Sequence, residues 1–355
     1  MPTPYEPNMR AVVVAPPGGA DAMAIRTVET PKPAPCEILV RVRAAALNRA
    51  DLLQRDGIFP APPGESDILG VEVAGDVVAA GVETDFIPGA AVFGLVGGGA
   101  YAEYCRLDGG MAIGIPPGLS YAAAAAMPEA YFTADTALFQ LGRLSPGQPV
   151  LIHGGGSGIG SACIQLAKAA GGRVGCTVGS AAKAERARAI GAELAINYAE
   201  RDFVRSILDW TDGAGVALVV DIVGADYFNR NLAVLKECGC LVQVGVMSGT
   251  RCEFDLDEIM LKRLQIKATI MRPLPIVEKR QITQRFRDTW LPRVVDGTLK
   301  PVVDSIFPFA DVRRAHRRME DRQHFGKIVL DVEAAEDVPT PVRAKAVRYK
   351  TREFT

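Results

Sequence analysis

Hydrophobic and polar positions change their rhythm near residue 127. Before it, short apolar runs at 11–15, 38–42 and 70–80 are separated by glycine and proline turns. After it, apolar segments of strand length alternate with segments whose apolar residues recur at helical spacing. The pattern predicts an antiparallel barrel or sandwich first. It predicts an open parallel sheet with helices on both faces afterwards.

The second part has a regular strand and helix alternation, preceded by a predicted helix over 129–141. The predicted strands are 150–152, 174–178, 195–198, 216–220, 241–244 and 266–270. The predicted helices are 161–169, 181–190, 203–210, 227–235 and 256–264. This alternation is typical of a Rossmann doubly wound sheet, which binds ligands beyond the carboxyl ends of its strands.

The C-terminal part is too short to complete a domain alone. It contains predicted helices at 276–295 and 312–319 and predicted strands at 302–307 and 327–332. We expect it to return to the first third, which gives a discontinuous domain of residues 1–126 and 272–355 around a domain of residues 127–271. The basic stretch 333–355 lacks periodicity, so a solvated or packed tail is favoured over a partner-binding arm.

Composition and charge exclude several functional classes. The 355 residues include 40 basic and 41 acidic side chains, a net charge of −1 that offers no field for nucleic acid. Seven cysteines are scattered without a C-x-x-C pair, and three histidines show no metal-ligand spacing. There is no signal-peptide core and no segment of membrane-spanning length. We therefore expect a cytoplasmic protein without a metal, a nucleic-acid partner or a membrane partner.

A glycine-rich loop follows the strand predicted at 150–152. It reads Gly154-Gly155-Gly156-Ser157-Gly158-Ile159-Gly160 and opens the next helix. The N–H groups at a helix N-terminus bind phosphate, and glycines let the phosphate approach the backbone. A plain helix cap at Ser157 is compatible with the same residues. We predict that Ser157, Gly158, Ile159 and Gly160 contact a dinucleotide.

The end of the second parallel strand distinguishes the two nicotinamide dinucleotides. An NAD site usually has an acidic residue there for the ribose 2′-hydroxyl. This strand ends in Gly179 and Ser180, and Lys183 follows. Hydroxyl and cationic donors suit a 2′-phosphate, and Tyr198 adds another. NADPH is therefore the predicted cofactor, although an ordinary solvated helix face would also explain Lys183.

Several segments together resemble one enzyme family. They are the residues 46–52 (Ala-Leu-Asn-Arg-Ala-Asp-Leu), Pro62-Pro63-Gly64, 69–75, Pro128-Glu129-Ala130, 221–224 and 326–330. They resemble the zinc-independent quinone oxidoreductases of the medium-chain dehydrogenase/reductase superfamily, and most closely the p53-inducible NADPH:quinone oxidoreductases. The resemblance implies a GroES-like catalytic domain, a Rossmann domain, NADPH and a homodimer.

The resemblance also implies site residues. Asn48 would orient the substrate carbonyl or the nicotinamide ribose, or it is only a helix cap. Phe59 occupies a position where relatives often have tyrosine, so it provides an aromatic wall without a phenol proton donor. Thr133 would lie near the nicotinamide. The remaining expected cofactor contacts are Val223, Gly224, Gly245, Val246, Met247, Phe325, Gly326 and Lys327.

The absence of zinc ligands restricts the chemistry. Zinc-dependent relatives have a Gly-His-Glu segment, where this chain has Gly70-Val71-Glu72, and the Asn48 region has no cysteine. Without a Lewis acid, alcohol oxidation is difficult, whereas reduction of an electron-poor acceptor remains feasible. We expect NADPH-dependent quinone reduction in a cleft between the domains, with the second proton from water. The alternatives are reduction of a 2-enoyl thioester or alkenal, and a non-catalytic NADPH-binding protein.

The expected homodimer would form through the last Rossmann strand, 266–270. That strand ends the sheet, so its hydrogen-bonding edge is open unless another strand pairs with it. Two such edges can pair antiparallel about a two-fold axis.

Overall fold

A computed structural model describes residues 5–333 of the chain. Within them the chain forms two compact units. The antiparallel unit contains residues 5–125, 306–320 and 329–333, and the parallel unit contains residues 126–305 and 321–328. The basic stretch predicted as a tail falls outside the described residues after 333.

The antiparallel unit consists of short strands with few helices. Its elements are β1 (Asn8–Val14), β2 (Met23–Glu29), β3 (Glu37–Ala46), α1 (Arg49–Arg55), β4 (Glu72–Ala80), β5 (Ala91–Leu95), β6 (Tyr104–Asp108), β7 (Ala112–Gly114) and α2 (Tyr121–Ala125). Strand β1 pairs antiparallel with β2, and its residue Ala11 also forms an isolated antiparallel bridge with Ala102. The long strand β3 pairs antiparallel with β4 and β6, and it is buried along most of its length.

The parallel unit alternates strands and helices as the sequence predicts. Its elements begin with α3 (Pro128–Asp135), β8 (Pro149–Ile152), α4 (Gly158–Ala169), β9 (Arg173–Val178), α5 (Ala181–Ala189), β10 (Leu194–Asn197) and α6 (Phe203–Trp210). They continue with β11 (Val216–Asp221), α7 (Phe228–Val234), β12 (Leu235–Gln243), α8 (Leu256–Leu261), β13 (Gln265–Ala268), α9 (Ile276–Thr289) and α10 (Leu291–Val295).

The later elements are β14 (Val303–Pro308), α11 (Val312–Glu320) and β15 (Lys327–Asp331). Strand β15 pairs antiparallel with β3. The larger sheet has seven strands, of which six follow the order β14-β15-β3-β4-β5-β7, and β6 pairs with β3 outside this order. The C-terminal part therefore rejoins the first third of the chain as predicted, but among these elements only through α11, the end of β15 and the neighbouring end of β14.

The six-stranded sheet has the order β10-β9-β8-β11-β12-β13, and all its pairs are parallel. The strand order reverses between β8 and β11, which is the switch point where such sheets bind ligands. Because parallel strands end at the same edge, the loops after β8, β9, β10, β11 and β12 share one edge. The predicted Rossmann fold is confirmed, and this edge carries most of the predicted cofactor contacts.

The predicted domain boundary at 271 differs from the structure. Residues 272–305 belong to the parallel unit, because α9 packs on α3 with the rings of Phe286 and Phe132 5.1 Å apart. The predicted helix 276–295 is two helices, since Trp290 separates α9 from α10 and Pro292 lies in the first turn of α10. The Trp290 Nε1–H donates to the buried Asp135 carboxylate at 2.8 Å.

Among the helices in the described part of the chain, none is both long and apolar enough to cross a membrane.

Candidate active site

The glycine-rich loop between β8 and α4 has the close backbone packing that the sequence predicts. The Ser157 side chain caps α4 by accepting from the Gly160 N–H at 2.9 Å. A Cβ at Gly160 would lie 2.1 Å from the Gly154 carbonyl oxygen, so only glycine allows this approach. The start of α4 therefore has the conformation of an anion site. The same backbone geometry allows Ser157 to cap the helix and the remaining N–H groups to bind a phosphate.

Residues 321–328 lie against this loop within the parallel unit. The Gly326 N–H donates to the Gly156 carbonyl at 2.9 Å, and Phe325 is buried. The Lys327 side chain is also buried and crosses the start of α4, since a Cβ at Gly158 would lie 2.4 Å from its Cδ. The sequence placed these residues in the catalytic domain. Their packing on the glycine-rich loop places them in the parallel unit instead.

Arg186 on α5 holds the same segment from the other side. Its guanidinium lies 4.4 Å from the Phe325 ring centroid and donates to the Phe325 carbonyl at 3.4 Å. It also lies 3.8 Å from the carboxylate of Asp304, which accepts from the Phe325 N–H. Neither Arg186 nor Asp304 is among the site residues that the sequence predicts. No local pattern relates residues so distant along the chain.

The carboxyl end of β9 has no acidic side chain. Gly179 and Ser180 follow the strand, and the Ser180 side chain caps α5 by accepting from the Lys183 N–H at 3.3 Å. The Lys183 ammonium donates to the Arg322 carbonyl at 2.5 Å. A Cβ at Gly179 would lie 2.6 Å from the hydroxyl oxygen of the half-exposed Tyr198. The structure thus brings the four predicted residues to one edge of the sheet.

Asp221 organises the two neighbouring loops through backbone hydrogen bonds. Its carboxylate accepts from the Val223 N–H at 2.6 Å and from the Gly224 N–H at 3.1 Å. Gln243 donates both to this carboxylate and to the Gly245 carbonyl. Asp221 therefore has a structural role, which is to hold the backbone of these loops. Beyond Gly245, Val246 and Met247 are exposed at the same edge.

Thr133 provides a test of whether a dinucleotide fits the parallel unit. Its hydroxyl on α3 is buried and has no hydrogen-bond partner among residues 5–333. A buried hydroxyl without a partner costs free energy, unless a ligand satisfies it. Together with the glycine-rich loop, the cation at Lys183 and the end of β9 without an acidic side chain, this donor set fits a phosphorylated nicotinamide dinucleotide.

Asn48 lies at the N-cap of α1 in the antiparallel unit, as predicted. Its Nδ2 donates to the Glu72 carboxylate at 2.8 Å and to the Ala46 carbonyl at 3.4 Å. Both partners are acceptors, which fixes the orientation of the amide. The amide nitrogen therefore faces Glu72 and Ala46, and the amide oxygen faces the Asp51 backbone N–H in the capping box of α1. This geometry does not support Asn48 as the donor to a substrate carbonyl, and it leaves the predicted alternative of the nicotinamide ribose.

A buried polar cluster surrounds Asn48. The Asp51 carboxylate accepts from the Asn48 backbone N–H at 2.8 Å and from the Tyr101 hydroxyl at 2.9 Å. Burial, and then the nearby Asp51, raise the pKa of Tyr101 well above its usual value. Tyr101 is therefore a neutral donor to Asp51 that helps to fix the start of α1. The sequence analysis identified neither Tyr101 nor the partner role of Glu72, because their contacts join distant strands.

Phe59 follows α1 in a half-buried turn whose backbone N–H donates to the Leu53 carbonyl at 3.1 Å. The predicted aromatic side chain is thus placed near the end of α1. Within residues 5–333, no group of three or more histidine, cysteine, aspartate or glutamate side chains is arranged to hold a metal ion.

Two family descriptions match the chain. Residues 34–117 match the alcohol dehydrogenase GroES-like domain, and residues 158–286 match the zinc-binding dehydrogenase family. The quinone oxidoreductase of Pseudomonas aeruginosa is 32% identical over 315 residues, which cover 88% of this chain and 96% of that protein.

Two further proteins resemble the chain over most of its length. One subunit of the phenolphthiocerol/phthiocerol polyketide synthase of Mycobacterium tuberculosis is 31% identical over 320 residues, but the chain spans only 14% of it. The structure of mycobacterial Rv1454c complexed with NADPH has a TM-score of 0.83 and 27% identity, and the match covers 91% of this chain and 99% of that one.

Proposed function

The chain belongs to the medium-chain dehydrogenase/reductase superfamily of oxidoreductases, and from this we propose that it reduces quinones by hydride transfer from NADPH without zinc. The proposal rests on the residues that follow the carboxyl end of β9. Ser180 and Lys183 offer a hydroxyl and a cation there, the Tyr198 hydroxyl lies over Gly179, and no carboxylate opposes a 2′-phosphate. The similarity to the Pseudomonas quinone oxidoreductase and to the NADPH-complexed mycobacterial protein supports the two finer assignments.

The parallel unit would hold the dinucleotide. When bound, NADPH supplies the hydride. The N–H groups at the start of α4 would bind the pyrophosphate with the buried Lys327 across them, and Lys183 and Tyr198 would bind the 2′-phosphate. The unpartnered Thr133 hydroxyl would bind the nicotinamide end. Val223, Gly224 and the loop from Gly245 to Met247 would complete the site at the same sheet edge.

In the antiparallel unit, the proposed site residues are Asn48 and Phe59. The Asn48 oxygen would accept a hydrogen bond from a ribose hydroxyl, and the Phe59 ring would contact a planar acceptor. Neither of these two residues provides an acidic proton donor. The second proton would come from water, which suffices for a quinone because its reduced product is a stabilised phenolate.

Two other functions remain as alternatives. An enone or 2-enoyl thioester reduced at carbon gives an enolate, which needs a donor that the engaged Asn48 N–H groups do not provide. This arrangement favours quinones. A non-catalytic NADPH-binding protein would bind the dinucleotide and consume it with neither acceptor.

The proposal includes three finer points. The motifs favour the p53-inducible NADPH:quinone oxidoreductase subgroup, and the cysteine pattern favours the cytoplasm. A homodimer would form through β13, which pairs with β12 alone among the strands of residues 5–333 and has exposed Ile266 and the nearby exposed Ile270. Light scattering of the full chain at micromolar concentration distinguishes this dimer from a monomer.

The test is steady-state consumption of NADPH against a series of quinones, alkenals and enoyl thioesters. We expect kcat/KM to be highest for quinones, and to be higher with NADPH than with NADH. Faster turnover of an enoyl substrate would favour the first alternative. Dinucleotide binding without turnover of any acceptor would favour the second.

A further inference from the structure

A continuous chain of buried hydrogen bonds runs beneath the candidate dinucleotide site. It begins at Gly154, the first glycine of the loop, whose N–H donates to the Thr177 hydroxyl at 3.3 Å. Thr177 lies 3.0 Å from Nδ1 of His153, and Nε2 of His153 lies 2.7 Å from the Asn231 amide oxygen. The amide nitrogen of Asn231 then donates to the Asp221 carboxylate at 3.1 Å.

The direction of every hydrogen bond in the chain follows from the acceptor at its end, the Asp221 carboxylate. The Asp221 carboxylate accepts from Asn231, so the Asn231 oxygen must face His153 and accept from Nε2–H. Burial lowers the pKa of His153, and a neutral ring with its hydrogen on Nε2 leaves Nδ1 to accept from the Thr177 hydroxyl. Thr177 can then accept from Gly154. One tautomer of one neutral histidine satisfies every bond.

The chain connects loops that are separate in sequence. At one end it reaches Gly154 in the loop after β8. At the other end it reaches Asp221, which holds the N–H groups of Val223 and Gly224 and, through Gln243, the Gly245 carbonyl. Three of the loops assigned to the dinucleotide therefore depend on the same hydrogen-bond chain.

We infer that His153 is a positioning residue for the dinucleotide: as a neutral Nε2–H tautomer, it holds the glycine-rich loop and the loops after β11 and β12 in the single arrangement that binds the cofactor. The inference rests on the proposed function, in which these loops bind NADPH. His153 itself is fully buried against the rings of Phe203 and Tyr227, whose centroids lie 4.9 and 4.8 Å from its own and 4.9 Å from each other, and it acts through its neighbours.

The experiment measures the NADPH dissociation constant by calorimetry and the melting temperature of each variant. His153→Phe keeps a ring packed against Phe203 and Tyr227 but removes both hydrogen bonds of the histidine, and Asn231→Leu removes the next hydrogen bond of the chain. We expect each to raise the dissociation constant about tenfold, which corresponds to the loss of a buried hydrogen bond. The dissociation constant of the double variant should lie within about twofold of that of the weaker-binding single variant, because both changes break the same chain of hydrogen bonds.

Three further variants separate positioning from stability. Val216→Ala removes buried volume at the amino end of β11, far along the strand from Asp221, and should lower the melting temperature without changing the dissociation constant. His153→Gln can still donate to Asn231, and it should recover part of the affinity. If His153→Phe does not fold, Thr177→Val breaks the same chain with a side chain of similar shape.

The outcomes distinguish the two claims. Unchanged NADPH affinity in a folded His153→Phe or Thr177→Val variant would overturn the positioning role, as would an equal loss of affinity in Val216→Ala. A wild-type chain that binds no dinucleotide would overturn the proposed function as well. In a variant that supports the inference, the KM for NADPH should rise while the KM for the quinone changes by less than about twofold.

Discussion

Replacing Asn48 by aspartate tests how the Asn48 amide is oriented. The change puts a carboxylate where an amide nitrogen donates to Glu72 at 2.8 Å, and both positions are buried. Two charges about 4 Å apart repel by ~4 kcal/mol at an effective dielectric constant of about 20. This repulsion favours a single proton shared by the two carboxyl groups in the folded variant.

The effect on stability should depend on pH with a definite sign. Because folding raises the pKa of the carboxyl pair, the proton stabilises the folded variant at low pH, and this stability is lost as pH rises through the raised pKa. We expect Asn48→Asp to be destabilised relative to wild type by up to ~4 kcal/mol at pH 8 and by much less at pH 5. Urea unfolding at a series of pH values measures the difference.

A charge exchange provides the matched control. Asn48→Asp combined with Glu72→Gln restores one amide and one carboxylate across the same contact, so most of the stability at pH 8 should return. Glu72→Gln alone should show no comparable dependence between pH 5 and pH 8. An equal loss for Asn48→Asp at both pH values, or a double variant as unstable as the single one, would show that the amide nitrogen does not face Glu72.

Asn48→Ala should lower the steady-state kcat/KM for quinones and for enones by similar factors of about 5 to 10, because the side chain acts on the cofactor through its oxygen. A loss of kcat/KM confined to enones would show that Asn48 donates to the substrate instead. Lys183→Glu should raise the KM for NADPH far more than the KM for NADH, because the new carboxylate repels the 2′-phosphate. The control Arg188→Glu on the same helix should change neither KM. Equal use of both cofactors by the wild type would contradict the assignment of Lys183 to the 2′-phosphate. Elemental analysis should find no stoichiometric zinc, and EDTA should leave quinone reduction intact; activity that EDTA removes and zinc restores would contradict a metal-independent reaction.

The parallel sheet and its binding edge could be predicted because their signals are local. The apolar strands, the glycine spacing and the helix cap at Ser157 depend on neighbouring residues. The strands of the parallel sheet lie within two residues of their predicted bounds, except that β12 begins at Leu235, six residues before its predicted start. The structural role of Asp221 could also be predicted, since its partners Val223 and Gly224 follow within three residues.

Contacts between distant segments could not be predicted in this way. The helical pattern of α9 predicts an apolar face but does not state that Phe286 packs on α3, so the domain boundary at 271 was wrong. The orientation of the Asn48 amide depends on Glu72, which is 24 residues away on another strand. The chain of hydrogen bonds from Gly154 to Asp221 requires side chains from several strands and a helix, and no local pattern relates His153 to Thr177 and Asn231.

A single-turnover reaction tests the central claim most directly. The full chain is first saturated with NADPH, one equivalent of a quinone per site is added under stopped flow, and the absorbance of the reduced nicotinamide is followed. The account predicts rapid loss of one equivalent of NADPH with quinone and a slower loss with an enone of similar size. Persistence of bound NADPH in the presence of the quinone would contradict it.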